Sequence, residues 1–131
     1  MTVTMNTDNI LNITEDLAYE GKDVMTGEIY RRNISDALAL IKITISLPVL
    51  TGSEKQIAWA EDIRLNKIAD AAQALRDTIA KRGAELSITA CQAKNANIQN
   101  ISDAFELLIT SHPRIQIFLT ATSASDIIDN R

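Results

Sequence analysis

The chain has 131 residues, which suits one compact domain, because single domains cluster at roughly 100–150 residues. Its one cysteine excludes an intrachain disulfide framework and a cysteine zinc cluster, and a formal net charge of −4 argues against nucleic acid as a partner. Glycine (4), proline (2) and aromatic residues (4%) are scarce, which favours helices over a turn-rich β fold.

The first part of the chain gives weak signals. Residues 1–12 mix Asn and Thr with isolated apolar residues, which predicts a loosely docked start. Turn chemistry at residues 20–23 and 26–27 separates short segments that favour small strands, with helix as the alternative for 14–19. The proposed strand segments are Leu17–Tyr19, Val24–Met25 and Ile29–Tyr30.

A helix is expected to begin near residue 35. Ser35 is a good N-cap, and apolar residues follow it. The alternation in Lys42–Ser46 fits either a continuation of that helix or a strand. Pro48 then ends regular structure in a connector, because proline disfavours helix in the residue before it.

The strongest predicted element is a helix over residues 53–82. Ser53 and Gln56 form a capping-box pattern at its start, and Gly83 suits the position after its end. At about 1.5 Å per residue, such a helix is roughly 43 Å long. Its apolar stripe steps by three or four residues through Ile57, Ala60, Arg64, Ile68, Ala71, Leu75 and Ile79.

The C-terminal part is predicted to be helical as well. Residues 84–95 favour a helix, 95–97 a turn, and 114–122 either helix or strand. The residues NISDA at 100–104 repeat those at 33–37. We interpret the repeat as the same helix N-cap sequence arising twice rather than as a duplicated unit. Ser123 and Asp126 are spaced as a capping-box variant before a short terminal helix.

These patterns predict a mainly α fold, with α+β as the lesser alternative. We expect a single domain over 1–131, in which 1–50 is a variable N-terminal part with a small β element and 51–131 is helical. No apolar run approaches the roughly 18–20 residues that span a bilayer, and the start lacks the pattern of a secretion signal. We therefore expect a cytoplasmic protein with no membrane contact.

The sequence shows no catalytic pattern. His112, the single histidine, precedes a proline and reads as a turn residue, and Cys91 reads as a small buried hydrophobe. No phosphate loop, dinucleotide fingerprint, HExxH or GxSxG motif occurs. We therefore expect no enzymatic activity, no cofactor and no metal site.

One dense cluster is a candidate binding site: Lys55, Trp59, Arg64 and Lys67. The tryptophan would anchor a partner, and the arginine would clamp a carboxylate or another anion. The structural alternative buries Trp59 in the core and pairs Arg64 with Glu61 or with a C-terminal carboxylate. We expect Trp59→Ala to damage folding and Arg64→Glu to damage binding or assembly.

Residues 47–64, LPVLTGSEKQIAWAEDIR, resemble the signature LPxLxGSxKQxxWAxxIR of small phage, plasmid and mobile-element proteins. Members of that family end in a segment similar to TSAxxWIDNR, and this chain ends in TSASDIIDNR, with Ile127 in place of the aromatic residue. The resemblance implies a mobile-element accessory protein whose terminal helix packs against the start of the long helix. It makes Asp129 a candidate partner for Arg64 or Lys55.

Three functions follow as hypotheses. The first is a non-catalytic inhibitor that docks on a host protein or protein complex, with a defence component such as a CRISPR effector among the candidates. The second is an oligomer that sequesters a nucleotide or small anion, with Trp59 on the base and Arg64 and Lys67 on phosphate. The third is a nucleic-acid-binding accessory protein, against which the negative charge counts. Self-association into a homo-oligomer is compatible with each of the three hypotheses.

Overall fold

The computed structural model describes residues 1–17, 19–22, 24–32 and 40–131, and shows strands at the start and helices after residue 53. The strands are β1 (Thr2–Met5), β2 (Ile10–Asp16), β3 (Tyr19–Lys22), β4 (Ile29–Arg32) and β5 (Leu40–Ser46). The α-helices are α1 (Glu54–Arg82), α2 (Ala84–Gln92), α3 (Ile101–Thr110), α4 (Gln116–Thr120) and α5 (Ala124–Asp129). A 3₁₀ turn over Pro113–Ile115 leads into α4.

The first sheet is antiparallel with strand order β1-β2-β5. Leu11 pairs with Ile45, and Ile13 pairs with Ile43, so these apolar residues share one face of the sheet. That face packs against α1 and α3, and Leu11 and Ile13 are completely buried there. The expectation of a loosely docked residue 1–12 segment is therefore wrong, because β1 and the start of β2 belong to the core.

The prediction of a mainly α fold is also wrong, and the class is α+β. The sheet supplies one wall of the hydrophobic core, whereas we expected only a small β element beside a helical body. The ambiguous segment Lys42–Ser46 lies in β5, where isoleucines that face the core alternate with exposed polar residues. Tertiary contact with β2 fixes that alternation as a strand.

A separate two-stranded sheet is formed by β3 and β4. Ile29–Tyr30 lies in a strand as expected, whereas Val24–Met25 lies in the connecting turn and is almost fully exposed. Gly21 belongs to β3 and not to a turn. The helix expected after Ser35 and the first NISDA copy lie outside the described residues.

The long helix is present over Glu54–Arg82, within one residue of its predicted start. Ser53 accepts a hydrogen bond from the Gln56 amide, and the Gln56 side chain accepts one from the Ser53 amide, so the capping box is complete. Gly83 follows with a φ of 95°, which favours glycine. The completely buried residues of its core face are Ala60, Arg64, Ile68 and Ala72.

The remaining helices close the core over the sheet and α1. In α3 the cap is Asn100 and not Ser102, since Asn100 Oδ1 accepts from the Asp103 amide. Ser102 instead accepts from the Lys42 amide and donates to the Leu40 carbonyl, at 3.0 Å each. It therefore satisfies two groups on the outer edge of β5.

The ambiguous segment 114–122 holds α4, and α5 follows it as the predicted terminal helix. Ser123 precedes α5, but its side chain does not cap the helix and forms no capping box with Asp126. Its hydroxyl is hydrogen-bonded to that of Ser125. A parallel bridge between Thr51 and Ser123 instead joins the connector before α1 to the residue before α5.

Candidate functional site

The four candidate residues lie on one helix but do not form one surface. Lys55 and Trp59 are one turn apart and project to the same side, because successive residues of an α-helix are about 100° apart. Measured around the helix axis, Arg64 lies about 140° from Trp59, and Lys67 lies about 80° from Trp59. Lys55 and Lys67 are exposed, whereas Arg64 faces the core. The structure thus groups Lys55 with Trp59 and separates both from Arg64.

Trp59 lies on the surface and remains 49% exposed. The guanidinium of Arg131 is 4.8 Å from the centre of its ring, at the distance of a cation–π contact. Arg131 is itself held by a 2.5 Å hydrogen bond from Nη1 to the Ile128 carbonyl. Arg131 consequently covers part of the indole, and about half of the side chain remains accessible.

Arg64 is completely buried and has no carboxylate within ion-pair distance among the described residues. Its Nη1 donates to the Pro48 carbonyl at 2.8 Å, and its Nη2 contacts Met5 Sδ at 3.8 Å. Its Nε makes no hydrogen bond to any described residue. Burial lowers the pKa of Arg64, and the charge of Glu61 raises it to a smaller extent.

The carboxylates predicted as ion-pair partners of Arg64 lie elsewhere in the structure. Glu61 acts on it only through its field, and Asp129 is exposed on α5 without an ion pair to Arg64 or Lys55 in the described part of the chain. The C-terminal residue that reaches the start of α1 is Arg131, which contacts Trp59. The terminal helix does pack against α1, as the resemblance implied.

A cavity of about 370 Å³ lies between the β1–β2 turn and α1, and no sequence pattern predicted it. Asn6 shapes the turn, since its side-chain oxygen accepts from the Asp8 and Ile10 amides, and Asn9 adopts a φ of 59°. Met5 forms the boundary between this cavity and Arg64. The lining residues are Met5, Asn6, Thr7, Asn9, Glu61, Asp62 and Leu65.

The two groups considered for chemistry take structural positions. His112 Nδ1 accepts from the Arg114 amide and caps the 3₁₀ turn. Cys91 is buried, with its thiol 3.9 Å from the Ala104 carbonyl. Over the described ranges, no three His, Cys, Asp or Glu side chains are grouped so that they could hold a metal ion.

The described helices include none long and apolar enough to cross a membrane. Comparison of the chain with known protein families, with curated proteins and with solved structures finds no match.

Proposed function

We propose that the protein is a non-catalytic protein-binding module whose docking surface is centred on Trp59. The observation that carries the proposal is the exposure of this indole, which lies half outside the fold although the core is built from apolar side chains. Tryptophan is enriched among residues that dominate binding energy at interfaces, where a large rigid ring enters a pocket of the partner. A ring held on a 29-residue helix is fixed before it binds.

The groups beside Trp59 indicate the chemistry of the partner. Lys55 lies one turn before it on the same side of α1, and Arg131 covers part of the ring. Both cations are exposed, so the partner surface should offer an apolar pocket for the indole with acidic groups next to it. The resemblance of residues 47–64 to a mobile-element signature supports a host protein as the partner, with defence components among the candidates.

The nucleotide-sequestering alternative is not supported by the geometry. It requires the Trp59 ring, the Arg64 guanidinium and Lys67 to face one ligand. Because Arg64 is buried about 140° around the helix axis from Trp59, a base stacked on the indole lies away from that cation. We therefore retain protein binding as the single proposed function.

Affinity capture with two matched variants tests the proposal. Trp59→Ala and Leu86→Ala each remove one large exposed apolar side chain from a helix, at 49% and 63% exposure. Both should keep the helical circular dichroism of the wild type. We expect Trp59→Ala to lose a stoichiometric partner from a bacterial lysate and Leu86→Ala to retain it.

A photo-crosslinking residue identifies the surface directly. Placed at Lys55 it should join the captured partner, and placed at Glu85 on α2 it should not. The proposal is overturned if folded Trp59→Ala retains every partner of the wild type. It is equally overturned if the wild type captures no stoichiometric partner.

A further inference from the structure

We propose that Met5 is a site of reversible oxidation by peroxide, and that the buried Arg64 receives the oxygen of its sulfoxide. The inference does not depend on the protein-binding function. It rests on Met5, whose sulfur contacts a buried cation with an unfilled hydrogen-bond donor, and which also lines an open cavity.

The contact places the sulfur against a guanidinium donor that has only a weak acceptor. Met5 Sδ is 3.8 Å from Arg64 Nη2, and a thioether sulfur is only a weak acceptor. Arg64 Nε has no described partner at all, although the side chain is completely buried. A buried guanidinium with unfilled donors is a costly arrangement, so a stronger acceptor at the position of Met5 would lower the free energy of the folded state.

The distance fits a sulfoxide. An S=O bond of about 1.5 Å and an N–H···O distance of about 2.8 Å span the observed 3.8 Å when the angle at oxygen is about 120°. That angle directs the N–H towards a lone pair of the oxygen. The oxygen can therefore enter the hydrogen bond without displacement of the Arg64 side chain from the Pro48 carbonyl.

Met5 is also reachable. It is partly buried, its side chain points to the core-facing side of β1 opposite Leu11, and it lines the cavity of about 370 Å³ beside α1. A peroxide molecule is far smaller than this cavity. Access from the cavity and stabilisation from Arg64 thus meet at the same side chain.

The chemical step is a two-electron oxygen transfer. A sulfur lone pair attacks one oxygen of hydrogen peroxide, the O–O bond breaks, and an S=O bond forms. The second oxygen takes the proton of the first and leaves as water, so the sulfur is oxidised and the peroxide is reduced. Sulfoxide reductases reverse the change, with one enzyme for each sulfoxide epimer.

We expect one sulfoxide of Met5 to stabilise the fold, which is the opposite of the usual effect of methionine oxidation. Methionine oxidation ordinarily weakens a fold, because it places a polar group against apolar surface. Here one of the two epimers directs its oxygen at Arg64, and that epimer should tighten the junction between β1, α1 and the connector that contains Pro48. The other epimer should destabilise the protein.

The experiment uses the full chain with Met25→Leu, which removes the methionine that is 93% exposed. The protein is treated with hydrogen peroxide, Met5 oxidation is mapped by mass spectrometry, and each epimer is removed in turn by its selective reductase. We expect one epimer to raise Tm by about 3–6 °C and the other to lower it. A Met5→Leu, Met25→Leu double variant controls for oxidation elsewhere, including Cys91, and should show no rise.

A second measurement avoids oxidation altogether. In Met5→Gln the amide oxygen imitates the sulfoxide oxygen, and Met5→Leu is its apolar reference. We expect Met5→Gln to melt at a higher temperature than Met5→Leu, whereas Met25→Gln and Met25→Leu should melt together. The proposal is overturned if both Met5 epimers lower Tm, if Met5 stays reduced after Met1 is oxidised, or if Met5→Gln melts below Met5→Leu.

Discussion

Replacement of Arg64 by methionine should stabilise the protein, although it removes a buried hydrogen bond. Methionine has a similar length and reaches the same space without a charge. Complete burial disfavours the Arg64 cation relative to water and lowers its pKa, and the field of Glu61 offsets this effect only in part. Arginine is charged throughout the usual pH range, so the folded protein carries this cost continuously.

The magnitude follows from two opposing contributions. Loss of the 2.8 Å bond to the Pro48 carbonyl costs about 1.5–3 kcal/mol, the value for a hydrogen bond to a charged group. Removal of the desolvated cation recovers several kcal/mol of folding free energy, because no carboxylate of the described chain compensates its charge. We expect a net gain of about 1–2 kcal/mol for Arg64→Met.

Urea unfolding followed by helical circular dichroism measures this gain. With an m-value of about 2 kcal/mol/M, the midpoint should move up by about 0.5–1 M while the slope stays constant. The gain should also be constant between about pH 5 and 9, because a lowered pKa of a base relieves the cost only as pH rises through that pKa. A midpoint that falls by 0.5 M or more would refute the assignment of Arg64 as a net cost.

A second arginine on the same helix gives a comparison. Arg76 is 29% exposed, and its Nε is 3.7 Å from Glu15 Oε2, so this arginine has the carboxylate that Arg64 lacks. Arg76→Met should therefore destabilise the protein by about 0.5–1 kcal/mol, which is opposite in sign to Arg64→Met. If both variants shift in the same direction, the difference in partners is not what decides their stability.

Three further substitutions test the packing around the site. Ser102→Ala should cost about 1–2 kcal/mol and speed hydrogen exchange at the Lys42 amide, and unchanged exchange would contradict the role of Ser102 at the edge of β5. Gly52→Ala should cost about 1–3 kcal/mol in thermal melts, because φ is 144° and the new Cβ would lie 3.3 Å from Ala124 Cβ; an unchanged Tm would contradict it. Ile127→Trp should cost about 1–3 kcal/mol by overpacking a completely buried position, and a gain in stability would show free space there.

The long helix was predictable because its signals are local. The bonds between Ser53 and Gln56 span three residues, and the turn at Gly83 needs only its own backbone freedom. The stripe also held, since Ala60, Arg64 and Ile68 are all completely buried. Helical periodicity therefore placed Arg64 in the core correctly, even though its residue type suggested a surface.

The sheet was missed because its evidence is non-local. Val3 and Met5 alternate with threonine over only four residues, which is too short a run to distinguish a strand from a coil. Their partners, Ile13 and Leu11, lie in the next strand, and β2 is completed by β5 about thirty residues later. Such pairing is decided by burial against the helices, which no local pattern contains.

The positions of Trp59 and Arg64 revise the expected effects of changing them. We expected Trp59→Ala to damage folding and Arg64→Glu to damage binding or assembly. The structure exposes the indole and buries the guanidinium. Trp59→Ala is therefore the variant expected to fold, and Arg64→Glu is the one expected to unfold, because it buries a carboxylate near Glu61.

Residues 47–64 and 122–131 meet in space at the start of α1. Thr51 bridges to Ser123, Ala124 packs at the α-carbon of Gly52, and Arg131 covers Trp59. The first two contacts fasten α5 to the start of α1 through backbone bonds and close approach. The third differs, since an arginine over a half-exposed indole adds little to stability at a wet surface. The fold thus leaves the Trp59 side chain 49% exposed, and the proposed docking surface is centred there.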